Sequence, residues 1–372
     1  MKVAILGTRG IPARYGGFET FAEELSARLA ARGHQVTVYC RERHAAPVYR
    51  CVALAYLPTI RHKYFDTMAH TLLSTLHLLF HRPDTALYCN AATAVFTILP
   101  RLTGVPVALN VDGLERLRKK WNRLARAWYL ISERLSTILP DEVVTDAQSI
   151  AAYYQTRYGK PSTFIPYGAD TGAVCTADVL PRLGLEARRY FLYVSRMEPE
   201  NNALLVREAF ECVTTELKLA LIGDAPYAHD YIRQVRDTTD PRVVIPGAVY
   251  GQGYQELTSH CFAYIHATEV GGTHPALIEA MGRGALTLFL ETRENEEVAG
   301  GAAIPFRRDN LAGVIRRVLD MEEEERQEWR WRAREHVATR YSWEAVTDQY
   351  EALLGRLAGK NRRNRRSGAP EE

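Results

Sequence analysis

Short apolar runs alternate with amphipathic stretches through the first half of the chain. KVAILG at 2–7 is followed by a helical pattern from Glu19 to Ala31, QVTVYC at 35–40, a second helical pattern at 66–81, and then TALYC, VPVALN and EVVTDA. Apolar strands separated by helices predict a parallel sheet covered on both faces, and Gly33 is placed to end the first helix. The pattern restarts after FIPYGAD at 164–170 with YFLYVSR, KLALIGD, RVVIPGAV, CFAYIHA and ALTLFL. A second α/β domain is therefore expected, with the boundary near Gly168. The acidic stretch Glu322 to Glu325 leads through EWRWRAREHVATRYSW to a final helical pattern, EAVTDQYEALLGRL. The expected division is 1–168, 169–340, a terminal helix over 341–356 and an unstructured basic tail over 357–372.

Composition narrows the class. A chain of 372 residues, 47% hydrophobic and 24% charged, fits two soluble globular domains and excludes collagenous, disordered and disulfide-built proteins. The net charge of +3 is uneven: Arg356 to Glu372 holds six basic and two acidic residues, so the fold itself is not basic and no nucleic-acid surface is expected. The run NRRNRR in the tail would meet acidic lipid or nucleic acid, or remain solvated. Cysteines 40, 51, 89, 175, 212 and 261 form no CxxC pair and read as reduced core residues. MAHTLLSTLHLLF is too short to span a bilayer and no signal-like leader precedes KVAILG, so a cytoplasmic protein is expected, with peripheral membrane contact left open.

Three segments in the first half carry candidate chemistry. GTRGIPARYGGFET is longer than a strand-to-helix turn requires. Gly16 and Gly17 would admit a close ligand, and free amides at the helix start would receive phosphate or a sugar hydroxyl; the plain alternative is a structural turn. It is not GxGxxG, which weakens a nicotinamide dehydrogenase. ALNVDGLERLRKKW sets Asp112 beyond an apolar strand, where a carboxylate can orient a hydroxyl, stabilise developing positive charge or simply cap a helix. From Leu114 to Arg134 there are seven basic and two acidic residues with Trp121, Trp128 and Tyr129, a pattern for an anionic membrane or for an ordinary packed helix. His62, His70, His77 and His81 lack acidic co-ligands, so no metal is expected.

In the second half, FLYVSRMEPENN puts Arg196 just after a strand, where a guanidinium can hold two phosphate oxygens. YIHATEVGGTHPALIEAMGRG supplies another glycine-led helix start. Gly271, Gly272 and Thr273 would turn amides toward an anion, Glu279 would accept paired hydroxyls, and His266 would address phosphate or sugar or be a satisfied strand-end histidine.

Taken in order, RGIPARYGGFET, NVDGLERLRKKW, PYGAD, SRMEPENN, VGGTHPALIEAM and RYSWEAVTDQY resemble the retaining glycosyltransferases of family 4, in their rhamnosyltransferase-like branch. The resemblance spans nearly the whole chain. It implies a GT-B architecture of two Rossmann-like domains facing across a cleft, with the last helix returning to the first domain. It implies a nucleoside diphosphate sugar as donor, no metal cofactor, and metal-independent transfer of a hexosyl group, rhamnosyl in that branch, to a glycan or lipid-diphosphate-linked acceptor. Arg196 maps to the diphosphate contact and Glu279 to the ribose contact. Asn201 stands where a lysine is common, and Gly271 where the first of two glutamates is common, with Glu269 two residues earlier. Asp112 would position sugar or acceptor. A nucleotide-sugar epimerase and a non-catalytic carbohydrate-binding or scaffold protein are the competing readings.

Overall fold

The computed structural model describes residues 1–13, 16–60, 62, 65–118, 121–225 and 228–367, and the chain divides into two compact units, Met1–Tyr167 with Trp343–Glu372, and Gly168–Ser342. Lys119 and Lys120 of the basic segment, and Arg14 and Tyr15 of the first glycine-rich loop, lie outside the described residues.

The first unit is built on β1 (Lys2–Leu6), β2 (Gln35–Cys40), β3 (Val48–Tyr49), β4 (Val52–Tyr56), β5 (Thr85–Cys89), β6 (Val107–Asn110), β7 (Glu142–Thr145) and β8 (Thr163–Phe164), with α1 (Gly17–Ala31), α2 (Asp66–His81), α3 (Ile98–Leu102), α4 (Arg123–Ser136) and α5 (Gln148–Tyr158). The eight strands run in the order β3-β4-β2-β1-β5-β6-β7-β8, all parallel except for the β3–β4 hairpin. β3 and β8 are two-residue strands, too short to announce themselves in the sequence, whereas β4, VALAY, is an apolar run that the strand pattern above does not include. Gly33 follows α1 at φ +84, as the sequence predicted.

The second unit contains α6 (Val179–Arg182), β9 (Tyr190–Val194), α7 (Ala203–Glu211), β10 (Lys218–Ile222), α8 (His229–Arg236), β11 (Val243–Gly247), α9 (Gln252–His260), β12 (Ala263–His266), α10 (Pro275–Gly282), β13 (Thr287–Leu290), α11 (Arg293–Ala299), β14 (Ile304–Phe306), α12 (Leu311–Asp320) and α13 (Glu323–Arg340). Its six strands are parallel in the order β11-β10-β9-β12-β13-β14. Alternate residues of one strand enter opposite cores. Phe191 and Tyr193 pack on one face with Leu219, Ile265 and Leu288, while Tyr190 and Leu192 pack on the other with Ala220, Ile222 and Tyr264. Burial on both faces is why these strands read as unbroken apolar runs.

The chain then returns to the first unit as α14 (Trp343–Ser367). This helix passes well beyond Arg356, where the sequence ended it, and takes in most of the segment read as an unstructured tail. Its Tyr350 packs on Phe21 of α1, and Arg32 pairs with Glu344, Asp348 and Glu351. The cysteines also need correction. All are free thiols, but only Cys40, Cys89 and Cys261 are buried, while Cys51, Cys175 and Cys212 are exposed in the segments between strands and helices.

Two helices of the first unit have inverted polarity. The buried side of α2 is His70, Thr71, Ser74, Thr75 and Leu78, whereas Leu72, Leu73, Leu76 and Phe80 face outward, Phe80 with 87% of its surface accessible. In α4 the buried residues are Tyr129, Ser132, Glu133 and Ser136, and Leu124 (81% accessible), Leu130 and Ile131 are exposed. No described helix is long and apolar enough to cross a membrane.

Candidate functional site

In an open parallel sheet the strand order reverses at one point, and the loops leaving the two strands there diverge to opposite faces and open a crevice. In the second unit that point lies between β9 and β12. The loop after β9 carries Arg196, and the loop after β12 runs from His266 through Gly271, Gly272 and Thr273 to the start of α10. Sheet topology alone thus brings the predicted phosphate and sugar residues of this domain to neighbouring strand ends.

Arg196 is partly exposed, and its Nη2 lies 3.9 Å from Glu198 Oε2, a loose pairing that leaves the guanidinium able to take another anion. Asn201 is buried, and its Nδ2 donates to the Arg196 carbonyl at 2.7 Å. It therefore shapes the loop that presents Arg196 rather than supplying charge. Glu269, two residues before Gly271, pairs with Arg308, which also donates to Asn202 Oδ1 at 2.7 Å. That partnership engages its carboxylate.

Gly271 has a steric reason. A Cβ on it would stand 2.3 Å from Nε2 and 2.7 Å from Cδ2 of His274, so the imidazole occupies the space a side chain at 271 would need. The ring is fixed from behind. Asn295 Nδ2 donates to the carbonyls of Thr268 and Leu290, which turns its Oδ1 to His274 Nδ1 at 2.6 Å and makes that nitrogen the donor. His266 lies 5.0 Å from His274, ring to ring, and its Nε2 is buried without a hydrogen-bond partner, so it is not the satisfied strand-end histidine that was the plain alternative. Burial, reinforced by His274, pushes the His266 pKa well below its ordinary value and keeps the ring neutral. Gly272 and Thr273 are buried at the approach to α10. Glu279, on the following helix, accepts the Tyr254 hydroxyl at 2.7 Å.

The first unit reverses its strand order between β1 and β5, and its candidate residues gather at the same sheet edge. Gly16 caps α1 in extended geometry and Gly17 begins that helix. Glu19 on α1 accepts the Arg9 amide at 2.9 Å, which folds the loop back on the helix start. Asp112 follows β6 with φ +56, a left-handed conformation uncommon outside glycine, and its N–H donates to Asn110 Oδ1 at 3.0 Å. Asp146, the buried residue after β7, is among the groups that act on the Asp112 carboxyl. Burial and the nearby Glu115 charge raise the Asp112 pKa against the pull of Arg118. Glu115 is in turn held by Arg118 and by Trp121 Nε1 at 3.2 Å.

Sequence reasoning missed Asp146 and His274. Asp146 carried the same signal as Asp112, a carboxylate just past an apolar strand. His274 carried none, because its place is set by Asn295 and by the absence of a side chain at 271. Among the described residues no group of three or more His, Cys, Asp or Glu gathers as metal ligands. Of the histidines on α2, His70 is buried, its pKa pushed down to about 4 by desolvation, and His77 stacks on His81.

Comparison with known families follows the same division of the chain. Residues 15–173 match the family model Glycosyltransferase Family 4, and residues 188–321 match the model Glycosyl transferases group 1. The chain is a GT-B-fold glycosyltransferase related to both families. No curated protein matches the sequence of this glycosyltransferase. Among solved structures, the sucrose-phosphate synthase from Thermosynechococcus elongatus is similar with a TM-score of 0.80 at 17% identity, over 96% of this chain and 99% of that one. Anabaena HepE in complex with UDP-glucose gives 0.78 at 15% identity, over 96% and 100%. WaaG, a glycosyltransferase involved in lipopolysaccharide biosynthesis, gives 0.70 at 16% identity, over 94% and 99%. At these identities the structural likeness establishes the fold.

Proposed function

We propose that this glycosyltransferase moves a hexosyl group, rhamnosyl by its sequence resemblance, from a nucleoside diphosphate sugar to a hydroxyl of a lipid-linked glycan, with retained anomeric configuration and without a metal. The observation that carries the reading is the strand-order reversal in the second domain, which sets Arg196 and the glycine-led start of α10, with Glu279 beyond it, at adjoining strand ends. The complexes of Anabaena HepE with UDP and with UDP-glucose support a nucleotide-sugar donor.

In the reaction, the bond between the sugar anomeric carbon and the diphosphate oxygen breaks while a bond to the acceptor oxygen forms, and the acceptor proton passes to the departing diphosphate. Arg196 and the amides of Gly272 and Thr273 stabilise charge on the leaving group. Glu279 holds ribose hydroxyls, and Asp112 orients sugar or acceptor. The outward apolar residues of α2 and α4 support peripheral contact with a membrane, since surface this apolar on a polar-lined helix is costly to leave in water.

The test incubates the protein with UDP-, GDP- and dTDP-linked hexoses and lipid-diphosphate-linked acceptors, and reads product mass and anomeric linkage. A new glycosidic product with retained configuration is expected. Tight donor binding with no transfer across the panel would favour the non-catalytic reading, and donor turnover without acceptor would favour an epimerase.

A further inference from the structure

The carboxylate proposed to hold the ribose is already engaged from within the second domain. Tyr254 on α9 donates its phenol hydrogen to Glu279 Oε2 on α10 at 2.7 Å. Neither partner is carried on a loop, because Leu257 of α9 and Ala280 of α10 enter one buried cluster and the two helices share that core. The first turn of α9 is closely seated. Gly251 precedes it at φ +60, and a Cβ on Gly253 would stand 3.0 Å from Val249 Cγ1 and 3.4 Å from Val179 Cγ2. Glu256, farther along the same helix, accepts the Val179 amide at 2.8 Å. Burial, together with the Glu279 charge, raises the Tyr254 pKa well above its ordinary value, so the phenol stays protonated and stays a donor.

A carboxylate clamps a pair of neighbouring hydroxyls by giving one oxygen to each. A charge-assisted bond of 2.7 Å occupies a lone pair of Oε2 and draws charge from that oxygen, which weakens it as an acceptor for a further hydroxyl. At most one oxygen is then left to the sugar at full strength. We infer that Tyr254 is a positioning residue that sets donor specificity: by taking Oε2 it limits Glu279 to one ribose hydroxyl, so the enzyme reads that hydroxyl and ignores its neighbour. The donors admitted are nucleoside diphosphate sugars whose ribose is complete or lacks only the unread hydroxyl. The inference rests on the donor reading above and narrows it.

The probes are UDP, 5-methyl-UDP and GDP, each in its ribose, 2′-deoxy and 3′-deoxy form, titrated calorimetrically against the whole protein. With the base that binds most tightly, the wild type should hold one deoxy form within about twofold of the ribose form and the other about tenfold more weakly, the loss of one hydrogen bond to a charged group. Tyr254→Phe keeps the ring and releases Oε2, so both deoxy forms should then fall about tenfold below the ribose form. In Glu279→Ala the three forms should bind alike, with or without the phenol. Each readout is a ratio of affinities on one preparation, which a fraction of unfolded protein does not alter and a merely structural phenol would not move. A wild type that loses about tenfold for both deoxy forms would overturn the inference, as would ratios unchanged by Tyr254→Phe. Binding of a nucleotide with both hydroxyls read defeats the role of Tyr254 alone. A protein that binds none of the nucleotides defeats the donor reading, and this inference with it.

Discussion

The side-chain amide of Asn110 donates to the phenol oxygen of Tyr350 at 2.9 Å, joining the end of β6 to the last helix across 240 positions of sequence. The other end of the same amide accepts the Asp112 N–H, so α14 reaches the proposed sugar-positioning carboxylate through one residue. Tyr350→Phe removes the acceptor and leaves a buried N–H unpaired. Unfolding in urea should show a loss of about 1–3 kcal/mol. Wild-type stability in that variant would mean that another group satisfies Asn110.

Asp112 yields a pH-dependent expectation. Its folded-state pKa is raised, mainly by burial and by Glu115, so the folded protein holds this proton more tightly than the unfolded chain does. Stability associated with the protonated form is fully present below the unfolded value, near 3.8, and is lost as pH rises through the folded value. Asp112→Asn removes the charge, and asparagine tolerates the positive φ. The melting temperature should therefore rise more at about pH 8 than at about pH 4.5, while transfer falls on the order of 10²-fold. Equal shifts at the two pH values would contradict the assignment.

Gly271 and His274 should behave as one unit. Gly271→Ala places a methyl carbon against the imidazole and is expected to cost about 1–3 kcal/mol. In a His274→Ala background the same substitution should cost almost nothing, and a double-mutant cycle in thermal or urea unfolding measures the difference. Additive effects would show that the contact carries no strain.

Arg196 and Glu279 should separate kinetically. Arg196→Ala removes a leaving-group contact and should lower kcat at saturating substrates by about 10²–10³-fold. Glu279→Ala should raise the Kd for the nucleoside diphosphate by about tenfold while leaving acceptor affinity unaltered. Turnover by Arg196→Ala at the wild-type rate, or donor affinity unmoved in Glu279→Ala, rejects the corresponding role.

The central strands of both sheets were legible because each had to be apolar on both faces, as the alternate burial of Tyr190 to Tyr193 shows. Strands set by edge pairing were not. Val48–Tyr49 forms only a two-residue hairpin against β4, and no periodicity can report so short an element. At the site, spacing picked out Arg196, Asp112 and Glu279, which sit on strand ends and the following helix. It gave no reason for Asn201 where a lysine is common or for Gly271 where a glutamate is common, because a hydrogen bond to the Arg196 carbonyl and the room required by the His274 ring are properties of folded space. The polarity of α2 was hidden for a related reason: hydrophobic positions predict which residues seek burial, and here Ser74 and Thr75 were buried in place of Leu73 and Leu76.

The return of α14 sets an order of assembly. The second unit is continuous from Gly168 to Ser342, whereas the first needs Trp343 and the residues after it. A nascent chain can thus complete its second domain while the first still lacks a wall. Domains usually close in the order in which they leave the ribosome. Here the earlier-made domain must wait for the later one, holding Phe21 and Asn110 open until Tyr350 has been synthesised.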